Sequence, residues 1–289
     1  MNGTPSPPSG ITERGADDAR SGADYFDSSE FSLRATIEDT HYWHVHRRAV
    51  LLDALRGFAP PEAAGRLLEI GCGIGTVTTY LNEHGYTVDY GDFFPNAVGI
   101  AKERATARLG EKVASERRFL QVDATKPLPF KDYQGVFLLD VIEHLPDDML
   151  VLENVRRMLD HAPGAFVFVT VPAFQFLWSP WDDVEKHKRR YTKKQLESLL
   201  DRAGFEVARS TYFFTPLFFA AAGVKGLRAV RSAIARGPEA GHIRDLAESK
   251  NVDSLNKLVT FVHGPERRWL GARRALPFGT SLLAIARAR

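Results

Sequence analysis

Three groups of side chains in this 289-residue sequence have types and spacings suited to chemistry. The first is LEIGCGIGT, Leu68 to Thr76, where Gly71, Gly73 and Gly75 fall between an apolar run and a helical pattern. Glycines at a strand-to-helix turn let the backbone approach a ligand, and the helix N-terminus offers unpaired N–H donors. A dinucleotide fingerprint, G-x-G-x-x-G, would need glycine at position 76, where this chain has Thr76. Packing is the competing explanation, because a tight turn needs glycine for its own sake. The second group is a pair of acids, each closing an apolar run. Asp92 is placed to accept hydrogen bonds from two ribose hydroxyls. Asp123, in FLQVDAT, suits an adenine amino group while the Ala124 N–H faces a ring nitrogen. The third group is rich in histidine: Glu143-His144 after VFLLDVI, and His187 in a segment that also holds Asp182, Asp183, Arg190 and Tyr191.

These residues need elements that bring them together. Strand patterns at 66–70, 86–91, 118–122, 135–140 and 165–171 alternate with helical ones. The helices are expected from the glycine turn to Glu83, with Gly85 as the stop, then over 95–109 and 147–159. That alternation predicts βαβ units and a parallel sheet. A T-x-x-Q capping box at Thr192 and Gln195 starts another helix that stops at Gly204. Strands over 205–214 and 281–287 follow. An earlier helix is expected over about 31–58, ended by Pro60-Pro61. Residues 1–24, rich in Pro, Gly, Ser, Asp and Ala, predict a disordered tail. The remaining 25–289 predict one α/β domain, with a helical insertion over about 216–277 before the last strand. The glycine turn and both acids then lie at the C-terminal ends of successive strands, the edge where open α/β sheets bind ligands.

LEIGCGIGT, Asp92, VDAT and VFLLDVIEHLPDD (Val136–Asp148) together resemble the successive motifs of class I S-adenosylmethionine-dependent methyltransferases. The resemblance runs over about residues 38–289. EDTHYWHVHRR is similar to an H-x-W-x-x-x-R signature of the bacterial small-molecule (type 11/12-like) subgroup. The segment from Asp182 to Tyr191 matches its D-x-x-x-x-H-x-R-R-Y loop, and LPFGTSLLAIAR its closing strand. The resemblance implies a Rossmann-like, doubly wound, seven-stranded sheet whose last strand is antiparallel. It implies S-adenosyl-L-methionine as cofactor and methyl transfer to O, N or C of a small organic acceptor, in secondary-metabolite, sugar or lipid biosynthesis. Carried over by position, Glu69, Gly71, Cys72, Gly73 and Gly75 hold the methionine moiety. Asp92 binds ribose with Phe93 beside it, and Asp123 and Ala124 frame adenine. Asp140 lies by the methionine amino group, with Val141 and Ile142 close to the cofactor.

Methyl transfer is an in-line displacement, so the acceptor side must align a nucleophile, exclude water and take a proton. His187 is the first candidate for that work, against a role pinning its loop. His144 either meets substrate or shapes its turn. Tyr191, with Arg189 and Arg190, either binds an anionic substrate or packs a helix entry. Arg47 contacts a substrate anion or pairs with an acid. His41 and Trp43 are placed to fold over the cofactor, Trp43 as an apolar lid. Phe174, Phe176, Trp178 and Trp181 are expected in an apolar acceptor wall. Cys72 is expected to be a small buried side chain. A sulfonium methyl is already activated, so no metal is expected.

Charge sharpens the picture of partners. Residues 206–289 carry 14 basic and six acidic side chains, net +8, although the whole chain is only +2. The arginines there either face solvent, touch a membrane surface or recognise an anionic or lipid-linked acceptor. Nucleic acid is not expected, because Asp140-Val141-Ile142-Glu143 stands where adenine-amino methyltransferases carry N/D-P-P-Y/F. One cysteine excludes an intrachain disulfide, and a reducing, cytoplasmic setting is expected. Two rivals remain in the sequence: a nicotinamide-dependent oxidoreductase and a non-catalytic cofactor-binding regulator.

Overall fold

A computed structural model describes residues 38–223 and 252–289. Helix α1 (Tyr42–Phe58) is capped by His41, whose Nδ1 accepts the Trp43 N–H; residues 38–40 before it are also helical, and residues 31–37 of the expected 31–58 helix lie outside the described residues. Then come β1 (Arg66–Ile70), α2 (Thr76–Glu83), β2 (Thr87–Asp92), α3 (Pro95–Leu109), α4 (Glu111–Ser115) and β3 (Phe119–Gln121). They are followed by β4 (Gly135–Leu139), α5 (Asp148–Met158), β5 (Phe166–Pro172), α6 (Pro180–Val184), α7 (Lys193–Arg202) and β6 (Phe205–Phe213). Residues 215–223 are helical, and α8 (Val252–Gly271) and β7 (Ser281–Ala288) close the fold. Of the expected insertion, Lys225, Arg228, Arg231 and Arg236 lie outside the described residues, as does the expected tail.

The seven strands are ordered β3-β2-β1-β4-β5-β7-β6, with β7 antiparallel to both neighbours. The fold is the Rossmann-like α/β arrangement that the sequence implies. Sheet order reverses between β1 and β4, and a crevice forms outside the strand ends at such a switch point.

Strand alternation sorts the core into two layers. Leu68, Val136, Leu138, Val167 and Val169 face α5 and α7. Leu67, Phe137, Phe168, Leu283 and Ile285 face α1, α2 and α8. Every residue of β5 is buried, as expected for a strand covered on both faces. Strands β3, β4 and β6 each end one residue earlier than the sequence suggests, and at two of these ends the backbone turns sharply. Asp140 (φ 59°) and Phe214 (φ 63°) both enter the left-handed region, so each is the point where the chain leaves the sheet.

The described part of the expected insertion is helical and joins the body of the domain. Helix α8 packs along α1, and Leu270 joins the core beneath. Buried Glu266 makes the joint. Its carboxylate accepts from His46 Nε2 (3.0 Å), Phe214 N (2.7 Å) and Thr215 N (2.6 Å). Burial raises its carboxyl, but the His46 and amide hydrogen bonds outweigh burial and the net shift is downward.

Glu266→Ala should destabilise the protein by about 3 kcal/mol, because it strands backbone N–H donors in the interior. Urea denaturation measures this; a loss below about 0.5 kcal/mol would mean that water replaces the carboxylate.

Candidate active site

The glycine turn leaves β1 at the switch point. Gly71 N (2.8 Å) and Cys72 N (2.9 Å) both donate to the Gly91 carbonyl, which lashes the turn to β2. At Gly71 (φ 80°) a Cβ would stand 2.5 Å from Val141 Cγ2, so no other residue fits against the β4 turn. At Gly73 (φ 54°) a Cβ would meet nothing within 4 Å. Gly71 thus serves packing, whereas Gly73 borders open space. Gly75 is the left-handed N-cap of α2. Cys72 is buried, and burial, followed by Asp92 and Glu69, pushes its thiol up, as suits a small core side chain.

Acids line this edge strand by strand. Asp92 closes β2, accepting Gly73 N (2.8 Å) at one oxygen and Phe94 N (2.9 Å) at the other. Burial nonetheless raises its carboxyl, against the amide hydrogen bonds. Each oxygen has a second lone pair for a ligand hydroxyl. Phe93 beside it is 49% exposed and meets Phe94 edge-on. After β3, Asp123 Oδ1 accepts from both Thr125 N (2.9 Å) and Thr125 Oγ1 (2.6 Å), and buried Ala124 is tied through its carbonyl to Asn154 Nδ2. After β4, Asp140 accepts Arg47 Nη2 (2.7 Å) and Thr170 Oγ1 (3.1 Å). Arg47 therefore pairs with an acid, and Trp43 lies beneath its guanidinium while stacking on Phe214. One face of the expected lid residue is thus occupied by the protein.

Several partners escape sequence reasoning. Glu69 on β1 is buried and accepts the Thr78 hydroxyl from α2. Thr76 donates to Glu38, and Thr170 bridges Asp140 and Arg47. Burial, then Arg47, drives His44 down to about 3, so it is neutral. A threonine one turn into a helix opposite a buried acid was the available signal for Thr78; the others join distant segments and leave no local pattern.

The loop after β5 brings the acceptor-side candidates together. Asp182, fully buried, accepts His187 Nδ1 (2.8 Å), Arg190 Nε (2.7 Å) and Nη2 (2.9 Å), Ser179 N (2.8 Å) and Ser179 Oγ (3.0 Å). Burial opposes its ionisation, but those hydrogen bonds hold it well below the usual carboxylate range. The ring of His187 meets that of His144 at 4.7 Å, nearly perpendicular. Tyr191 stands apart from them: it is 4% exposed, its hydroxyl donates to Asp148 (2.7 Å), and burial pushes that hydroxyl up. Arg189 is likewise engaged by Asp148 and the Leu145 and Pro146 carbonyls. Beyond them Phe174 stacks on Tyr212 (4.7 Å) and Phe218 on Phe278 (5.2 Å), with Phe176 against Phe218 (6.0 Å).

The described arginines of the basic segment lie elsewhere. Arg267 pairs with Asp53, and Arg274 covers Trp269. A cavity of about 670 Å³ lined by Asp53, Arg56, Arg267, Arg268 and Arg273 sits at the C-terminal end of α1, whereas Arg47 meets the site nearer its N-terminus.

Comparison with known proteins agrees with this architecture. A family model described as a methyltransferase domain matches residues 42–210. The 27-O-demethylrifamycin SV methyltransferase of Amycolatopsis mediterranei is 29% identical over 132 residues, 43% of this chain and 46% of that protein. An S-adenosyl-L-methionine-dependent Diels-Alderase of Talaromyces variabilis is 28% identical over 122 residues, 41% of this chain and 40% of that protein. The matches thus span less than half of either curated relative. Magnesium protoporphyrin IX methyltransferase from Synechocystis PCC 6803, with bound SAH, shares the fold at TM-score 0.54 and 14% identity, covering 92% of this chain and 97% of that one.

Glu69 gives a pH test of the ligand-free site. Burial, reinforced by Asp92 and opposed by Thr78 and Arg47, raises its carboxyl from 4.5 to about 7. A raised folded-state value means that stability is complete below about pH 4.5 and declines as pH rises through about 7. The melting temperature should fall over that interval, and Glu69→Gln should flatten the fall; identical slopes would remove Glu69 as a source.

Proposed function

The chain belongs to the methyltransferase-domain family, and from that premise we propose that it transfers a methyl group from S-adenosyl-L-methionine to a small organic acceptor with an apolar or aromatic body. One observation carries the cofactor half. The left-handed Gly73 opens onto empty space beside Asp92, at the switch point of the sheet, which is a cradle that any Cβ would fill. The residues around it fit the cofactor. Glu69 and the Gly71–Gly75 turn take the methionine half, and Asp140 its ammonium group. Asp92 takes the ribose, and Asp123, Ala124 and exposed Phe93 surround adenine. Bound there, the cofactor supplies an electrophilic methyl on a sulfonium.

The chain's own task is then alignment, exclusion of water and removal of a proton. His187 is held by Asp182 with Nδ1–H donated to the carboxylate, so Nε2 carries the lone pair. That nitrogen accepts the acceptor's proton, and Asp182 stabilises the imidazolium that results. The glycine turn, Asp92 and Asp140 would hold the sulfonium with its methyl carbon in line with the acceptor's lone pair, with sulfur as the leaving group that takes back the C–S electron pair. The aromatic wall of Phe174, Phe176, Phe218 and Phe278 supports an apolar acceptor. Arg267, Arg268 and Arg273 of the basic segment are at the far end of α1, and Arg47 and Arg190 beside the site are paired with Asp140 and Asp182, which argues against an acceptor chosen mainly by negative charge.

Asp92→Ala should weaken S-adenosylmethionine binding by ~1–3 kcal/mol in calorimetry; unchanged affinity would take Asp92 out of the site. His187→Ala should leave that affinity intact and slow turnover by roughly 100-fold or more; loss of cofactor binding instead would refute an acceptor-side role. Incubation with an extract of small molecules should yield a product heavier by one CH₂. An acceptor that rearranges without gaining mass would replace methyl transfer with a cyclase-like reaction.

A further inference from the structure

Glu143 is the outlier of the acceptor side. It follows β4 in the turn that also holds His144, and its backbone carbonyl accepts Lys188 N (2.8 Å) from the loop after β5. Its side chain is 0% exposed, and among the described residues neither carboxylate oxygen has a hydrogen-bond partner. A buried carboxylate in that condition is costly unless a cation meets it. Arg47 and Arg190 are the permanent positive charges that act on it, but their guanidinium groups are engaged, Arg47 by Asp140 and Thr170 and Arg190 by Asp182.

What Glu143 faces is a pair of imidazoles. One carboxylate oxygen of Glu143 and one ring nitrogen each from His144 and His187 all lie within 4.8 Å of one another. Ligand atoms at ~2.1 Å from one ion stand up to ~4.2 Å apart, so small side-chain adjustments suffice. The supporting contacts are those of a metal site. Asp182 fixes the His187 tautomer through Nδ1 and leaves Nε2 as the ligand atom, the arrangement that orients metal-binding histidines. Asp182 is itself locked by Arg190 and Ser179.

We propose that Glu143, His144 and His187 bind one divalent transition-metal cation. Two imidazoles and one carboxylate suit zinc, manganese, iron, cobalt or nickel rather than the all-oxygen preference of magnesium or calcium. Three protein ligands leave coordination positions open toward the aromatic wall. The acceptor's hydroxyl or amine fills one of them, and the cation lowers its proton affinity before methyl transfer; the released proton goes to solvent. The expectation that no metal is needed concerned the sulfonium methyl, which is already activated, whereas this cation acts on the acceptor. Its catalytic role rests on the methyl-transfer reading and replaces His187 Nε2 as the group that meets the acceptor. The binding site itself does not depend on that reading.

The test uses the full, untagged chain, stripped with a chelator and titrated with Co²⁺ alone, without cofactor or acceptor. The visible d–d absorption should saturate at one equivalent. Glu143→Gln relieves a buried charge at constant shape, so it should fold as well as the parent while losing at least roughly 100-fold in Co²⁺ affinity. His187→Ala should lose the band, and Asp182→Asn should weaken binding by roughly 10- to 100-fold. A parent protein that binds no Co²⁺, or a Glu143→Gln protein that binds it equally well, overturns the proposal. Cofactor affinity and methyl transfer are measured on the same samples. If no Co²⁺ binds, yet methyl transfer proceeds unchanged in chelator, the metal site fails and the methyltransferase reading stands. If Co²⁺ binds as expected and no acceptor gains a methyl group, the site stands and the reaction assigned to it fails.

Discussion

Asp182 holds the loop after β5, the proposed acceptor side, in place. A carboxylate taken wholly out of water must be matched donor for donor, and here Ser179, His187 and Arg190 supply the donors. Because those residues are spread over the loop after β5, satisfying one anion folds the whole loop. Arg190 also donates to the Ala173 carbonyl, so the loop is anchored to the end of β5 as well. His187 acquires a fixed tautomer and a fixed direction, and His144 and Glu143 acquire a defined neighbour. Remove the carboxylate and the histidine keeps its chemistry but loses its aim.

The cofactor half is built on a different principle. There the backbone does the positioning: paired amides grip the Gly91 carbonyl, Asp92 grips Gly73 and Phe94, and Val141 fills the space where Gly71 lacks a side chain. Arg47 connects the halves. It comes from α1, pairs with Asp140 beside the glycine turn, and influences both Glu69 and Glu143 through its charge. Glu69 and Glu143 are both buried acids whose carboxyls burial raises, against the pull of Arg47 on each and of Arg190 on Glu143. A cation brought close to either would favour its charged form.

What was legible in the sequence was whatever is local. The strand-turn-helix around Gly71 to Gly75, the T-x-x-Q box at Thr192 and the stops at Gly85 and Gly204 each follow from a few adjacent residues, and their limits fall within a residue of expectation. Side-chain partners were harder because they depend on register between distant segments. Nothing near Glu266 announces His46 or the Phe214 amide, and nothing in R-R-Y shows that Tyr191 turns inward to Asp148 while Arg190 turns to Asp182. The same limit hid Glu143. Its type and its neighbour His144 were visible, but its missing hydrogen bonds are a property of the packed interior.

Strand order has a consequence for how the chain is made. β6 pairs with β7 alone, and β7 lies between it and β5. While the ribosome is still adding residues 215–280, β6 has no edge to join, and β5 exposes the edge that β7 will cover. β5 is buried throughout in the finished fold and β6 is buried from Ser210 to Phe213, so Phe168 and Phe213 both await burial. Such a delay slows folding and leaves sticky edges open. The last strand therefore acts as a keystone, and the nascent protein should depend on chaperones until that strand slides into place.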